Sequence, residues 1–167
     1  PELVGVGQHV PDPPAGVVVH GDQPDRWPEG KGVLLVFFSS FTPLSLNHLR
    51  SIEQLSTRNP GIHVIAVAPD SKQRIHSAMA AAGASELPWP TIIADTEGRW
   101  KEAFLTPTQR THLPVAVAIG RDRTILWHGP GIPQGVAPPL ALISANRWNG
   151  EFYASRITRD ARRKEHA

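Results

Sequence analysis

Thr42, Ser45 and His48 are the residues whose types and spacing come nearest to chemistry. Ser45 and His48 stand three apart, so on a helix they share one face on neighbouring turns, and a hydroxyl beside an imidazole is the start of a nucleophile and base pair. Such a pair needs a carboxylate to orient the imidazole. None lies nearby in sequence, and Asp70 or Asp95 would serve only if the fold carried one of them there. No G-x-S-x-G turn presents the serine. A plainer reading takes Thr42-Pro43-Leu44-Ser45 as a helix start, with Thr42 at the N-cap, Pro43 first in the helix, and hydroxyls meeting the free N–H groups. The same helix start offers partial positive charge and free donors to a carboxylate, a phosphate or the thiolate of glutathione.

The sequence contains no cysteine. That removes disulfides, thiolate nucleophiles and thiolate metal sites together. The eight histidines, His9, His20, His48, His63, His76, His112, His128 and His166, never fall into an H-x-x-x-H or H-E-x-x-H spacing. A metal site would need ligands assembled from distant segments, and neither a metal nor a cofactor is expected. Trp27, Trp89, Trp100, Trp127 and Trp148 each stand beside an expected strand end or helix and read as packing residues. Trp89, held between Pro88 and Pro90, is the one expected to line a groove.

The elements that must position these groups follow from the apolar pattern. Residues 1–30, with Pro11, Pro13, Pro14, Pro24 and Pro28 around Val17-Val18-Val19, read as an extended segment with one short strand, and the core is expected after Gly30. Gly32 to Phe38 is a continuous apolar run, as in a strand buried on both faces, and is placed at the centre of a sheet. Leu46, Leu49, Ile52 and Leu55 then recur as one helical stripe up to Asn59-Pro60-Gly61. A second buried strand, Ile62 to Ala68, leads into a helix over 71–82 with Ile75, Ala78, Met79 and Ala82 on one face. This strand–helix–strand–helix order predicts a parallel, right-handed crossover unit. A short strand over 91–94, a helix over 99–105, a hairpin over 115–119 and 124–128, and a closing helix over 139–147 complete the domain of residues 31–150.

The chain of 167 residues is one domain's worth, and its 17 prolines and 14 glycines imply many loops. The formal net charge is +2, concentrated in a basic tail within residues 151–167 around Arg162-Arg163-Lys164. No recognition motif or aromatic-basic stripe accompanies that tail, so nucleic acid is not an expected partner. No apolar run approaches the ~18 residues of a membrane span. Membrane contact is expected only through an anchor outside this sequence.

Four strings in order resemble the thioredoxin-like superfamily, in particular bacterial redoxins of the TlpA and AhpC/TSA types. They are GVLLVFFSSFTPLS, LPWPTIIADTEGRWKEAF, HLPVAVAIGRDRTILWHG and PPLALISANRW. The resemblance covers roughly residues 5–150. It implies an α/β fold with a central mixed sheet flanked by helices. In the family the turn after the first core strand bears C-x-x-C, and the matching positions here are Thr42, Pro43, Leu44 and Ser45. A peroxiredoxin-like alignment instead sets Ser45 at the peroxidatic place. Either way the exchange chemistry, which needs a thiolate, is lost. Pro114 matches the family's cis-proline, which by resemblance sets the Leu113 backbone beside the helix start, with His112 at the rim. The resemblance implies a redox-inactive binding or scaffold module that takes a protein or extended peptide through Phe41, Thr42, Pro43, Ser45, Trp89, His112, Leu113 and Pro114. The alternative is residual or glutathione-dependent oxidoreductase activity using Thr42 or Ser45. Relatives of this type usually work outside the cytoplasm, which favours a periplasmic or membrane-tethered location.

Overall fold

The computed structural model describes residues 4–22, 24–83 and 87–144. The basic tail and Trp148 lie outside the described residues.

The apolar run of the sequence becomes β2, Gly32–Phe37, every residue of which is buried. Its side chains alternate between two cores: Val33, Leu35 and Phe37 face one side, and Leu34, Val36 and Phe38 the other. That alternation explains why the run needs no polar positions. The remaining strands are β1 (Val17–His20), β3 (Ile62–Ala68), β4 (Thr91–Ala94), β5 (Val115–Ile119) and β6 (Ile125–Pro130), in the spatial order β1-β4-β3-β2-β5-β6. Strands β2, β3 and β4 are parallel, while β1, β5 and β6 pair antiparallel to their neighbours.

Helices α1 (Pro43–Thr57), α2 (Lys72–Ala81) and α3 (Pro133–Ser144) cover one face. On α1 the stripe Leu46, Leu49 and Ile52 is buried against the sheet, and the Asn59 side chain donates to the Leu55 carbonyl at 2.9 Å where the helix stops. On α2 the Ser71 hydroxyl caps the helix by accepting from the Arg74 N–H.

The closing helix starts at Pro133, six residues before the expected start at Pro139, and it carries Pro138 and Pro139 inside it. Val136, Leu140 and Ile143 form its buried stripe. Burial of that stripe outweighs the hydrogen bonds that the two prolines forgo. The expected end of the helix, at 147, lies outside the described residues. The expected helix over 99–105 contains a π-turn, Lys101–Leu105, followed by a 3₁₀ turn, Thr106–Thr108. The wider turn lets the consecutive Phe104 and Leu105 both enter the core.

The opposite face of the sheet is covered by this π-turn and by the N-terminal segment. Here the sequence reading is corrected: the core does not begin after Gly30. Val19 and Trp27 are buried, and the Trp27 indole donates to the Pro11 carbonyl at 2.8 Å. Residues 7–10 exchange backbone hydrogen bonds with Arg123 and Ile125 at the β6 edge. The prolines hold the segment extended, and extended chain beside an unpaired edge pairs with it.

Candidate functional site

Phe37 of β2 stands opposite Val115 of β5 in an antiparallel pair. The chain leaving β2 at Phe38 and the chain arriving at Pro114 therefore meet side by side at one end of the sheet. This end holds the start of α1 and the residues 111–114. The Leu113–Pro114 peptide bond is cis. The Pro114 carbonyl accepts from the Gly131 N–H at 3.0 Å, whereas the Leu113 N–H and carbonyl make no hydrogen bond among the described residues.

Three large apolar side chains of these segments are exposed. Phe41 is 63%, Leu44 60% and Leu113 37% exposed. The Arg74 guanidinium lies 3.5 Å from the centre of the Phe41 ring, a contact worth about 0.5–1 kcal/mol when exposed. Sequence reasoning missed Leu44 as a surface residue and missed Arg74 altogether. Leu44 was visible as an apolar residue one position off the buried stripe. Arg74 belongs to a different helix, and no local pattern links it to Phe41.

Several expected roles are revised by the geometry. Thr42 is extended and sits at the N-cap as expected, but its hydroxyl makes no capping bond. The Ser45 N–H that it would meet is taken by Thr42's own carbonyl at 3.0 Å. Ser45 is buried at 5% exposure beneath the first turn of α1, and Pro43 occupies the first helical position. His48 is half-buried further along the helix. Neither candidate carboxylate serves a Ser45–His48 pair. Asp70 accepts from the Ser40 N–H at 2.9 Å and the Ser40 hydroxyl at 2.6 Å, and Asp95 accepts from the Trp100 and Lys101 N–H groups at 3.0 and 2.9 Å. A carboxylate of the chain itself thus already occupies both donors of Ser40 in the turn before α1.

Trp89 does not join the groove. Thr91 pairs with Ile65 in the middle of β3, so Trp89 lies toward the end of the sheet opposite Leu113. There the Arg50 guanidinium stacks 4.4 Å from its ring. His112 is exposed beside Leu113, its Nδ1 3.2 Å from the Thr111 hydroxyl. Displaced pKa values fall on groups outside this end, Glu53 and His63 among them. Burial raises Glu53 on α1, and burial together with the charge of Lys31 lowers His63 on β3.

Among the described residues no three histidines or carboxylates are grouped as a metal site, and no helix is long and apolar enough to cross a membrane. At this end of the sheet the Leu113 backbone is unused among the described residues, and Phe41, Leu44 and Leu113 are exposed.

No protein-family model and no curated protein matches the chain. Solved structures do. A protein described as a putative protein disulfide isomerase from Bacteroides thetaiotaomicron aligns over 86% of this chain and 92% of its own, with a TM-score of 0.63 at 14% identity. A thiol:disulfide interchange protein of the thioredoxin family from Chlorobium tepidum aligns over 82% and 97%, with a TM-score of 0.58 at 16% identity. StoA from Bacillus subtilis aligns over 77% and 98%, with a TM-score of 0.52 at 15% identity. The mixed six-stranded sheet with its flanking helices is a thioredoxin-like fold, shared with disulfide oxidoreductases and built here without a single cysteine.

Proposed function

We propose that this chain is a redox-inactive, redoxin-type thioredoxin-fold module that captures an extended segment of a partner protein at the end of the sheet formed by Phe41, Leu44 and Leu113. The observation that carries the reading is the Leu113 backbone, whose N–H and carbonyl are unused among the described residues, at the end of the sheet that also holds the exposed Phe41 and Leu44. An extended peptide laid along Leu113 gains main-chain hydrogen bonds there, and Phe41 and Leu44 supply apolar contact for its side chains. Without a cysteine the capture does not proceed to a mixed disulfide, so the product of the encounter is a complex. A location outside the cytoplasm goes with this reading, since one of the structurally similar proteins is described as a secreted disulfide oxidoreductase of Mycobacterium tuberculosis.

The test is peptide selection from a displayed library, followed by amide hydrogen exchange on the complex. A selected peptide slows exchange at the Leu113 amide, and Leu113→Arg weakens its binding about tenfold or more while the domain stays folded. Peptides that bind both forms equally and leave the Leu113 amide unprotected would overturn the proposal.

A further inference from the structure

The N-terminal segment reaches the loop that leads to Leu113 at two points. Residues 7–10 lie along the β6 edge, where the Gly7 N–H donates to the Ile125 carbonyl at 2.8 Å, the Ile125 N–H to the Gln8 carbonyl at 3.0 Å and the Val10 N–H to the Arg123 carbonyl at 2.9 Å. Ahead of that pairing, Gly5 sits at a φ of +84° and so close to the loop that a Cβ on it would stand 2.7 Å from the Pro107 carbonyl oxygen. Next to Gly5, the Val4 carbonyl lies 2.7 Å from Nε2 of His128 on β6, and the other ring nitrogen, Nδ1, accepts from Arg110 Nε at 2.7 Å. A guanidinium can only donate, so Nδ1 is the bare nitrogen, and Nε2 carries the hydrogen and donates it to Val4. His128 is 1% exposed. A buried ring bonded at both nitrogens is held in place from both sides, by the N-terminal segment and by the loop.

We propose that residues 4–10 form a strap that sets the order of the loop over 109–113, and through it the readiness of the Leu113 backbone to take a peptide. The inference rests on the capture reading above and adds a regulation to it. Arg110 is its positioning residue, three places before Leu113 and bonded to His128 by its side chain. The stretch beyond Arg110 is thinly held: residues 111–113 are exposed, and their backbone makes no hydrogen bond among the described residues. Arg110 therefore anchors this stretch on one side, and on the other the Pro114 carbonyl accepts from the Gly131 N–H. Lifting the strap takes away the acceptor that orients the His128 ring and slackens its hold on Arg110. Segments with so few buried contacts are the ones that open locally.

Amide hydrogen exchange on the full chain reads this coupling without a ligand. Gly5→Ala, on the strap, is expected to speed exchange at the Gln109 amide, which donates to the Thr106 carbonyl, about threefold or more. Arg110→Met, on the loop, is expected to speed it at Gly7 and Val10 by about as much, and the double variant adds little to either single. Ile75→Ala, in the core on the other face of the sheet, lowers the urea midpoint and leaves those amides unchanged, which separates the strap from a general loss of stability. Each variant acting only on its own side, or Ile75→Ala moving the same amides as far, would overturn the proposal. If Gly5→Ala does not fold, Arg110→Met decides alone. A peptide selected on the unaltered chain is expected to bind Gly5→Ala about threefold or more weakly, although Gly5 lies outside the capture surface, and equal affinity refutes the strap's control over capture. If the unaltered chain selects no peptide, the capture reading falls, and exchange still decides whether strap and loop are coupled.

Discussion

At the α1 end of the sheet Phe41, Leu44 and Leu113 stand exposed to water, whereas on the face behind β4 the rings of Trp27, Trp100 and Phe104 are buried and packed edge to face. The two groups have similar chemistry and opposite accounts. The aromatic wall removes apolar surface from water and closes the N-terminal segment onto the sheet, so folding explains it. The groove residues bury little, so folding does not explain them. Single exposed apolar residues are ordinary on any surface. Three at one end of the sheet, where the Leu113 backbone has an unused donor and acceptor, are what the proposed peptide capture would bury.

Trp100→Ala is the strongest blow to the wall. Trp100 is fully buried, with ring centroids 6.1 Å from Trp27 and 5.5 Å from Phe104. Its removal is expected to cost about 3–5 kcal/mol, read as a lower urea midpoint with an unchanged slope. Leu113→Arg at the other end is expected to change stability by no more than about 0.5 kcal/mol. Equal costs at the two positions would erase the contrast between a folding wall and a binding end.

How much of this contrast could be read from sequence depends on how local its causes are. β2 and the buried stripe of α1 were legible, because Val33 to Phe38 and Leu46, Leu49 and Ile52 carry their burial in their own spacing. The groove was legible only through resemblance, which pointed to Leu113 and Pro114 beside Thr42. The wall was not legible: Trp27 is buried against Trp100 and Phe104, and Gly16 abuts Ile93 and Trp100, all far along the chain. Trp89 was misplaced because flanking prolines say that a chain is extended and not in which register it pairs. α3 was cut short because proline reads as a stop, and the burial of Val136 beneath it leaves no local mark.

Gly16 tests the wall from its other side. A methyl group there would stand 2.8 Å from the Ile93 Cγ2 and 3.0 Å from the Trp100 Nε1, inside contact distance of both. Gly→Ala is neutral or stabilising where the space is open and the backbone suits it. Here it is expected to cost about 1–3 kcal/mol through overpacking, measured by the same urea unfolding. A neutral result would mean that the N-terminal segment lies loosely on the wall, and the contrast with the groove would then rest on Trp100 and its neighbours alone.

His63 offers the smallest effect and tests the sheet rather than either surface. It is half-buried on β3, opposite Val33, and burial together with the positive charge of Lys31 lowers its pKa from the ordinary imidazole value. The unfolded chain, with its imidazole near about 6.5, then takes up a proton at a pH where the folded chain does not. By linkage the stability tied to neutral His63 is fully present above the unfolded pKa and is lost as pH falls through the folded one. Thermal unfolding followed from pH 7.5 down to about 5, a span bracketing the imidazole range, is expected to show a steeper fall in midpoint for the unaltered chain than for His63→Gln. The groove takes no part in that difference, so Leu113→Arg should keep the steep profile. Parallel profiles for His63→Gln and the unaltered chain would show that His63 protonates without cost in the fold, and that this end of β3, on the same face of the sheet as the aromatic wall, is more open to water than the wall itself.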